Sequence, residues 1–215
     1  RRVPHFVANA FAMKKLDLKK DHAALYKATA KPVSLKVPKL RYLMIDGAGD
    51  PNTSKDFAYA TTALYGLSYT LKFMIKNGPE AIDYGVMPLE AVWWADDTSD
   101  FTEANKTKWK WTAMIMQPSF IDRTSLKAAI AELVSKKKEL PSVAKVRMEV
   151  MTEGACAQIL HIGSYASEGP TIANLHAFIQ EQGKTLRGKH RELYLSDARC
   201  TAPDKLRTII RQPMG

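Results

Sequence analysis

His190-Arg191-Glu192-Leu193-Tyr194-Leu195-Ser196-Asp197, followed by Ile209-Ile210-Arg211-Gln212-Pro213, decides the fold, because the first half of the chain carries the same outline. Trp94-Ala95-Asp96 closes a strand there as Leu195-Ser196-Asp197 does here, and Met114-Ile115-Met116-Gln117-Pro118 matches the later Gln-Pro ending. Asp96 to Gln117 spans 21 positions and Asp197 to Gln212 spans 15, the difference falling in an acidic loop from Asp96 to Asn105. Self-similarity of this kind points to one structural unit used twice.

The elements around these matches agree with a repeat. Leu40 to Asp46 is a short apolar strand ended by Gly47 and Gly49. Asp50 to Ser54 offers N-cap chemistry, and from Ser54 to about Lys76 the residues Phe57, Ala60, Leu64, Leu67, Leu71 and Met74 recur at helical spacing. Strands are expected over 84–95 and 108–117. A helix follows over 123–139, whose Lys136, Lys137 and Lys138 complement its dipole in water. A strand over 145–151 is expected to turn at Thr152-Glu153-Gly154 into another over 157–162. A helix over 171–182 and strands over 190–196 and 206–211 complete the chain. The fold class is α+β: duplicated βαββ units in halves 40–118 and 155–213, joined by a helix and strand over 122–151. Two sheets would then surround a central ligand cleft.

With 46% hydrophobic and 25% charged residues and 2 Cys, the chain fits an ordinary globular protein and excludes disorder and a disulfide scaffold. No apolar run approaches the roughly 20 residues of a membrane span, and no signal segment opens the sequence, so a cytoplasmic location and no membrane partner are expected. The net charge of +10 invites a nucleic-acid reading. Residues 1–40, however, hold ten basic and two acidic side chains, whereas 41–215 carry 22 basic and 20 acidic. The folded part is nearly neutral, and no specific nucleic-acid partner is expected. Residues 1–39 read as a basic, solvated lead-in, of which 1–12, ahead of Met13, are foreign or processed sequence. The oligomeric state is left open.

Three motifs fail. Gly47-Ala48-Gly49 lacks the third glycine of a dinucleotide fingerprint. Cys156 and Cys200 have no paired partners for zinc, and the five His show no ligand spacing, so neither metal nor cofactor is expected. What remains is aromatic clustering around one carboxylate. A period of two puts Leu193 and Leu195 on one face of their strand and His190, Glu192 and Tyr194 on the other. The repeat makes Tyr194 equivalent to Trp93 and Glu192 to Ala91. If Leu193 and Leu195 face the helices, Glu192, Tyr194 and Trp93 face the cleft; the alternative for Glu192 is a solvated or salt-bridged strand residue. On the first helix Tyr65 and Tyr69 stand off the leucine face, either as packing or as phenol donors to the cleft. Trp109 and Trp111 alternate with Lys108 and Lys110, a pattern that suits a flat hydrophobic ligand better than stacked bases.

Leu43-Met44-Ile45-Asp46-Gly47-Ala48-Gly49-Asp50-Pro51, Met87-Pro88-Leu89-Glu90-Ala91-Val92-Trp93-Trp94-Ala95-Asp96 and Gly188-Lys189-His190-Arg191-Glu192-Leu193-Tyr194-Leu195-Ser196-Asp197 resemble the GyrI-like small-molecule-binding proteins. The resemblance runs through nearly everything from Met13 onward. It implies a duplicated βαββ fold around a hydrophobic pocket, with the family's pocket glutamate matched by Glu192-Leu193-Tyr194. One subfamily that this chain resembles hydrolyses cyclopropanoid DNA-alkylating toxins within an aromatic cage. Other members only bind drugs, often as regulator sensors, and the lead-in is too short for a helix-turn-helix domain. The reading that follows is a hydrolase for flat cyclopropane-bearing electrophiles. Glu192, its pKa raised by desolvation, would be the general base. Tyr69 or Tyr65, or His161, would bond the carbonyl oxygen, and Trp93, Trp111, Tyr194 and Tyr165 would form the walls. The rival is a non-catalytic binder of aromatic or cationic compounds, with Glu192 pairing the cation.

Overall fold

Two strands of sixteen residues, β2 (Val33–Ala48) and β6 (Arg147–Ile162), pair antiparallel along most of their length and form the spine of the molecule. This is seen in a computed structural model, described for residues 13–97, 99, 101–136 and 140–215. The remaining long strands are β4 (Leu89–Trp94), β5 (Lys110–Gln117), β7 (His190–Tyr194) and β8 (Arg207–Pro213). They close a six-stranded barrel in the order β2-β5-β4-β7-β8-β6. The strands of the two expected halves therefore form one hydrogen-bonded wall, not two separate sheets. They meet where β4 pairs antiparallel with β7, Ala91 opposite Glu192 and Trp93 opposite His190.

Thr152-Glu153-Gly154 does not turn the chain back. Gly154 takes φ +77°, and β6 continues through it as a kinked strand. On the partner strand the register runs unbroken past this point, Val37 opposite Gly154 and Lys39 opposite Thr152. A glycine at positive φ lets a long strand bend without ending its ladder.

Register and contacts assign the two faces of the wall. Glu90, Arg191, Arg211, Tyr42 and Met114 point inward: Arg191 pairs with Glu90 at 2.6 Å and Glu153 at 2.8 Å, and its guanidinium lies 5.0 Å from the Tyr42 ring centre. Outside, α3 (Lys55–Asn77), N-capped by Ser54, lays Ala60, Leu64, Leu67 and Leu71 over Leu43, Ile45, Ala113 and Ile115. Helix α5 (Gly169–Glu181) packs Leu175 and Ile179 on Ala157, Ile159, Ile210 and Met214. Helix α4 (Arg123–Lys136) stacks against α3, with Leu133 beside Gly66. Lys137 and Lys138 of the basic run, like residues 1–12, lie outside the described residues.

The lead-in is not a solvated arm. Its strand β1 (Lys14–Leu16) pairs parallel with β3 (Ile82–Tyr84), and the single-turn helices α1 (Leu18–Asp21) and α2 (Ala23–Tyr26) bury Leu18, Leu25 and Tyr26. Tyr26 donates its hydroxyl hydrogen to Glu90 Oε1 at 2.6 Å, and Arg211 donates to the Leu25 carbonyl at 2.6 Å. A few apolar side chains among the lysines outweigh the polar composition: each buried Leu contributes roughly 1.5–3 kcal/mol, and each lysine keeps its ammonium in water. Among the described residues no helix is long and apolar enough to cross a membrane.

Candidate functional site

Between α3 and α5 the outer face of the β4–β7 junction is left uncovered by apolar packing, and a cavity of about 1670 Å³ opens there. Leu193 is fully buried on the inward face of β7. Its neighbours His190, Glu192 and Tyr194 therefore face out into the cavity, on the same side as both helices. The alternation expected from sequence holds through β7, but the assignment of its faces reverses: Leu193 looks into the barrel and the carboxylate face toward the helices, while Leu195, past the end of the strand, lines the cavity. The physical reason is the interior charge. Arg191 and Glu90 satisfy each other inside, so the helices cover the other side of the wall.

Glu192 is the centre of a hydrogen-bond cluster. His190 Nε2 lies 3.0 Å from Oε1, and Tyr194 donates its hydroxyl to Oε2 at 2.7 Å. The Trp93 indole N–H in turn donates to the Tyr194 oxygen at 3.1 Å. Burial on its own pushes the Glu192 carboxyl up, but hydrogen bonds from His190, Tyr194 and Glu168 outweigh it and hold the group below the usual carboxylate range. The expected rise in its pKa is thus corrected to a fall. Tyr194 is pushed far up, by burial and by the adjacent Glu192, so it remains a donor. Tyr165 makes an edge contact with Tyr194 at 5.8 Å, and burial together with Glu192 pushes its phenol up to about 12.

The walls are aromatic. Phe57 sits 5.2 Å from Trp93, and Trp93 6.0 Å from Trp109. Phe101 then lies 4.6 Å from Trp109 and 6.0 Å from His190. Along α3, Tyr65, Tyr69 and Phe73 stack in a ladder with centroids 6.4 and 6.5 Å apart. Tyr65 accepts the Leu89 backbone N–H at 3.1 Å, which leaves its own hydroxyl hydrogen available, and burial raises its pKa. Tyr69 is 48% exposed and Phe73 51%, so the ladder runs from the cavity to the surface.

Glu192, Trp93, Tyr194, Tyr165, Tyr65 and Tyr69 thus share one cavity. Two expected members lie outside its lining. Trp111, opposite Trp93 on β5, is fully buried against Phe57 and fills the space over Gly47, where a Cβ would stand 2.1 Å from the ring. His161 is buried behind the loop 163–168, bonded to Ser164, Ser167 and Thr171. Sequence reasoning missed Glu168, His176, Phe57 and Phe101. Glu168 lay in what reads as a turn, Ser167-Glu168-Gly169-Pro170, but Gly-Pro there opens α5 and places Glu168 at its N-cap position. From that turn Glu168, Ile172 and His176, four apart, line the cavity. Among the described residues no group of three or more His, Cys, Asp or Glu could hold a metal ion.

The arrangement can hold a flat ligand by stacking, present it with an ionised carboxylate, and donate hydrogen bonds from three phenols. Comparison with known proteins agrees with a ligand-binding role. Two crystal structures described as hydrolases from Listeria innocua superpose with TM-scores of 0.86 and 0.83, at 33% and 32% identity, over 94% and 93% of this chain and 100% of theirs. The C-terminal domain of EcmrR superposes at 0.52 with 12% identity over 86% of this chain and 97% of its own, which is a likeness of fold alone. No curated protein sequence matches the chain. The model of the GyrI-like small molecule binding domain matches residues 31–214, and the chain belongs to that family.

Proposed function

We propose that the protein hydrolyses flat aromatic electrophiles that carry a strained cyclopropane conjugated to a dienone, by adding water within the aromatic cavity. The observation that carries this reading is Glu192 held ionised in an aromatic-walled cavity, hydrogen-bonded to a second carboxyl, Glu168. Two carboxyls in one hydrogen bond share one proton, and Glu192, bonded also to His190 and Tyr194, is the one placed to act as the base. The pair supplies a base and an acid. Glu192 takes a proton from water as its oxygen bonds to the ring CH₂. The breaking C–C bond gives its electrons to the dienone, whose carbonyl oxygen becomes a phenol on receiving a proton from Glu168. The Glu192 proton then returns to Glu168, so the net change is one water added.

Tyr65 is the better oxyanion donor of the two α3 tyrosines, because the Leu89 amide fixes its oxygen while Tyr69 stands half in solvent. Trp93, Tyr194 and Tyr165 hold the plane of the substrate, each aromatic contact contributing about 0.5–1.5 kcal/mol beyond area burial. The two βαββ halves would share the work, β4 and α3 supplying one wall and β7 and α5 the other. The same ionised carboxylate among ring faces also suits a sequestered aromatic cation, the second reading. Incubation of excess cyclopropanoid with the protein, followed by mass spectrometry, separates them. Repeated turnover to a product heavier by one water, lost in Glu192→Gln, supports hydrolysis; stoichiometric protection with no water adduct refutes it.

A further inference from the structure

His161 is a buried imidazole that the hydrolytic reading leaves unused, and its surroundings give it a task. It ends the cavity-side stretch of β6, opposite Thr208 on β8. Its Nε2 lies 3.1 Å from the Ser164 carbonyl and 3.3 Å from Ser167 Oγ, and its Nδ1 lies 2.9 Å from Thr171 Oγ1 in the first turn of α5. A carbonyl can only accept, so Nε2 carries the hydrogen. Ser167 already donates to the same carbonyl at 2.7 Å and turns a lone pair to the ring. Nδ1 is hydrogen-bonded to the Thr171 hydroxyl. One ring nitrogen therefore holds the start of the loop and the other holds the start of the helix.

The loop is shaped to the ring. Gly163 takes φ +144°, and a Cβ there would stand 2.9 Å from Ser167 Oγ and 3.1 Å from His161 Nε2, so the fold over the imidazole needs glycine at this position. The segment so pinned, Ser164 to Glu168, lines the cavity with Tyr165, Ala166 and Glu168, of which Tyr165 is in edge contact with Tyr194 and Glu168 is hydrogen-bonded to Glu192. Both reach the centre from a single-turn helix whose N-cap makes no side-chain hydrogen bond.

We infer that His161 is the positioning residue of the site: by bonding Ser164, Ser167 and Thr171 together it sets where Glu168 meets Glu192, without touching the ligand. The inference rests on the Glu168–Glu192 pair being the hydrolytic acid and base, and its test has one arm that needs no turnover. In the full chain, with glutamate carboxyl carbons labelled for NMR, Glu168 and Glu192 are expected to titrate as a pair. His161→Leu, which keeps the bulk and removes both ring nitrogens, is expected to uncouple them into two independent carboxyls. His161→Gln, whose amide N–H can still reach Ser164, is expected to restore the pair. In the kinetic arm, misplacing an acid by a fraction of an ångström lowers kcat on the order of tenfold to a hundredfold. KM is expected to stay within about twofold, since Trp93 and Tyr65 keep the ligand. If His161→Leu does not fold, Thr171→Val tests the Nδ1 side alone, with a smaller loss in the same direction. A folded His161→Leu protein with coupled titration and unchanged kcat overturns the inference. Absence of turnover in the wild type refutes the hydrolase reading, while the titration still decides on His161.

Discussion

Replacing His190 with Phe is the perturbation that bears most directly on the carboxylate. The Phe ring keeps the contact with Phe101, 6.0 Å away, and removes the donor that sits 3.0 Å from Glu192 Oε1. Burial raises this carboxyl and hydrogen bonds lower it, the His190 bond being the largest of the latter. A hydrogen bond to a charged group contributes about 1.5–3 kcal/mol, and 1.36 kcal/mol corresponds to one pH unit. Loss of His190 therefore removes the largest lowering contribution and raises the Glu192 titration from its depressed position, with burial now opposed only by the remaining hydrogen bonds. The stability consequence has a definite sign. In the wild type the depressed carboxyl stabilises the fold above its ordinary titration range, and that contribution is lost as the pH falls through the folded-state value. In His190→Phe the contribution is absent or reversed, so the two proteins differ most at neutral pH and converge on acidification. Carboxyl-carbon NMR reads the titration, urea melts at pH 7 and pH 3.5 read the stability, and the acid limb of kcat/KM should move with the titration. A Glu192 titration that stays put, or a stability gap that widens toward acid, refutes the reasoning.

Four further outcomes follow from the same geometry. Trp93→Ala should abolish stacking and orphan the Tyr194 oxygen, weakening binding of a flat aromatic ligand by about 2–3 kcal/mol, read by calorimetry. Trp111→Ala should leave the cavity's chemistry intact but cost about 3–5 kcal/mol of stability, since its ring is wholly buried; a variant of unchanged stability with lost binding would put Trp111 back in the wall. Tyr65→Phe should lower kcat on the order of tenfold to a hundredfold, whereas Tyr69→Phe should change it by less than about threefold because that phenol is half exposed. Tyr26→Phe should cost about 1.5–3 kcal/mol in thermal unfolding by removing the bond to Glu90, with activity per folded molecule unchanged.

The local pattern of the site is legible in the sequence where one face of a strand is forced. Leu193 between Glu192 and Tyr194 fixes their side of the wall whatever the wall encloses, and Tyr65 and Tyr69 fall off the leucine face of α3 by spacing alone. What the alternation does not tell is which face looks where. Arg191 and Glu90 share a face with Leu193, and only their long-range pairing turns that face inward. The lead-in misleads for the same reason: Tyr26 finds its partner Glu90 64 positions away, and no local period marks it. Trp109 and Trp111 look alike in sequence, yet one lines the cavity and the other is sealed against Gly47. Glu168 reads as part of a turn because its meaning lies in the loop that carries it to Glu192.

The charges inside the barrel and the carboxylate outside it are two faces of the same pair of strands. Glu90 and Arg191 stand one residue away from Ala91 and Glu192, on β4 and β7, whose register sets the floor of the cavity. A buried ion pair seldom adds stability over a well-packed apolar substitute, but breaking one partner away costs about 3–5 kcal/mol. Its value here lies in register. A slip of one residue between β4 and β7 would drive Glu192 into the barrel and Arg191 into the cavity, separating Arg191 from Glu90 and from Glu153 at once. Tyr26 adds the lead-in to the same lock by its bond to Glu90. The interior network therefore makes one strand pairing far more stable than its neighbours, and that pairing is the one that presents Glu192, Tyr194 and Trp93 together to a ligand.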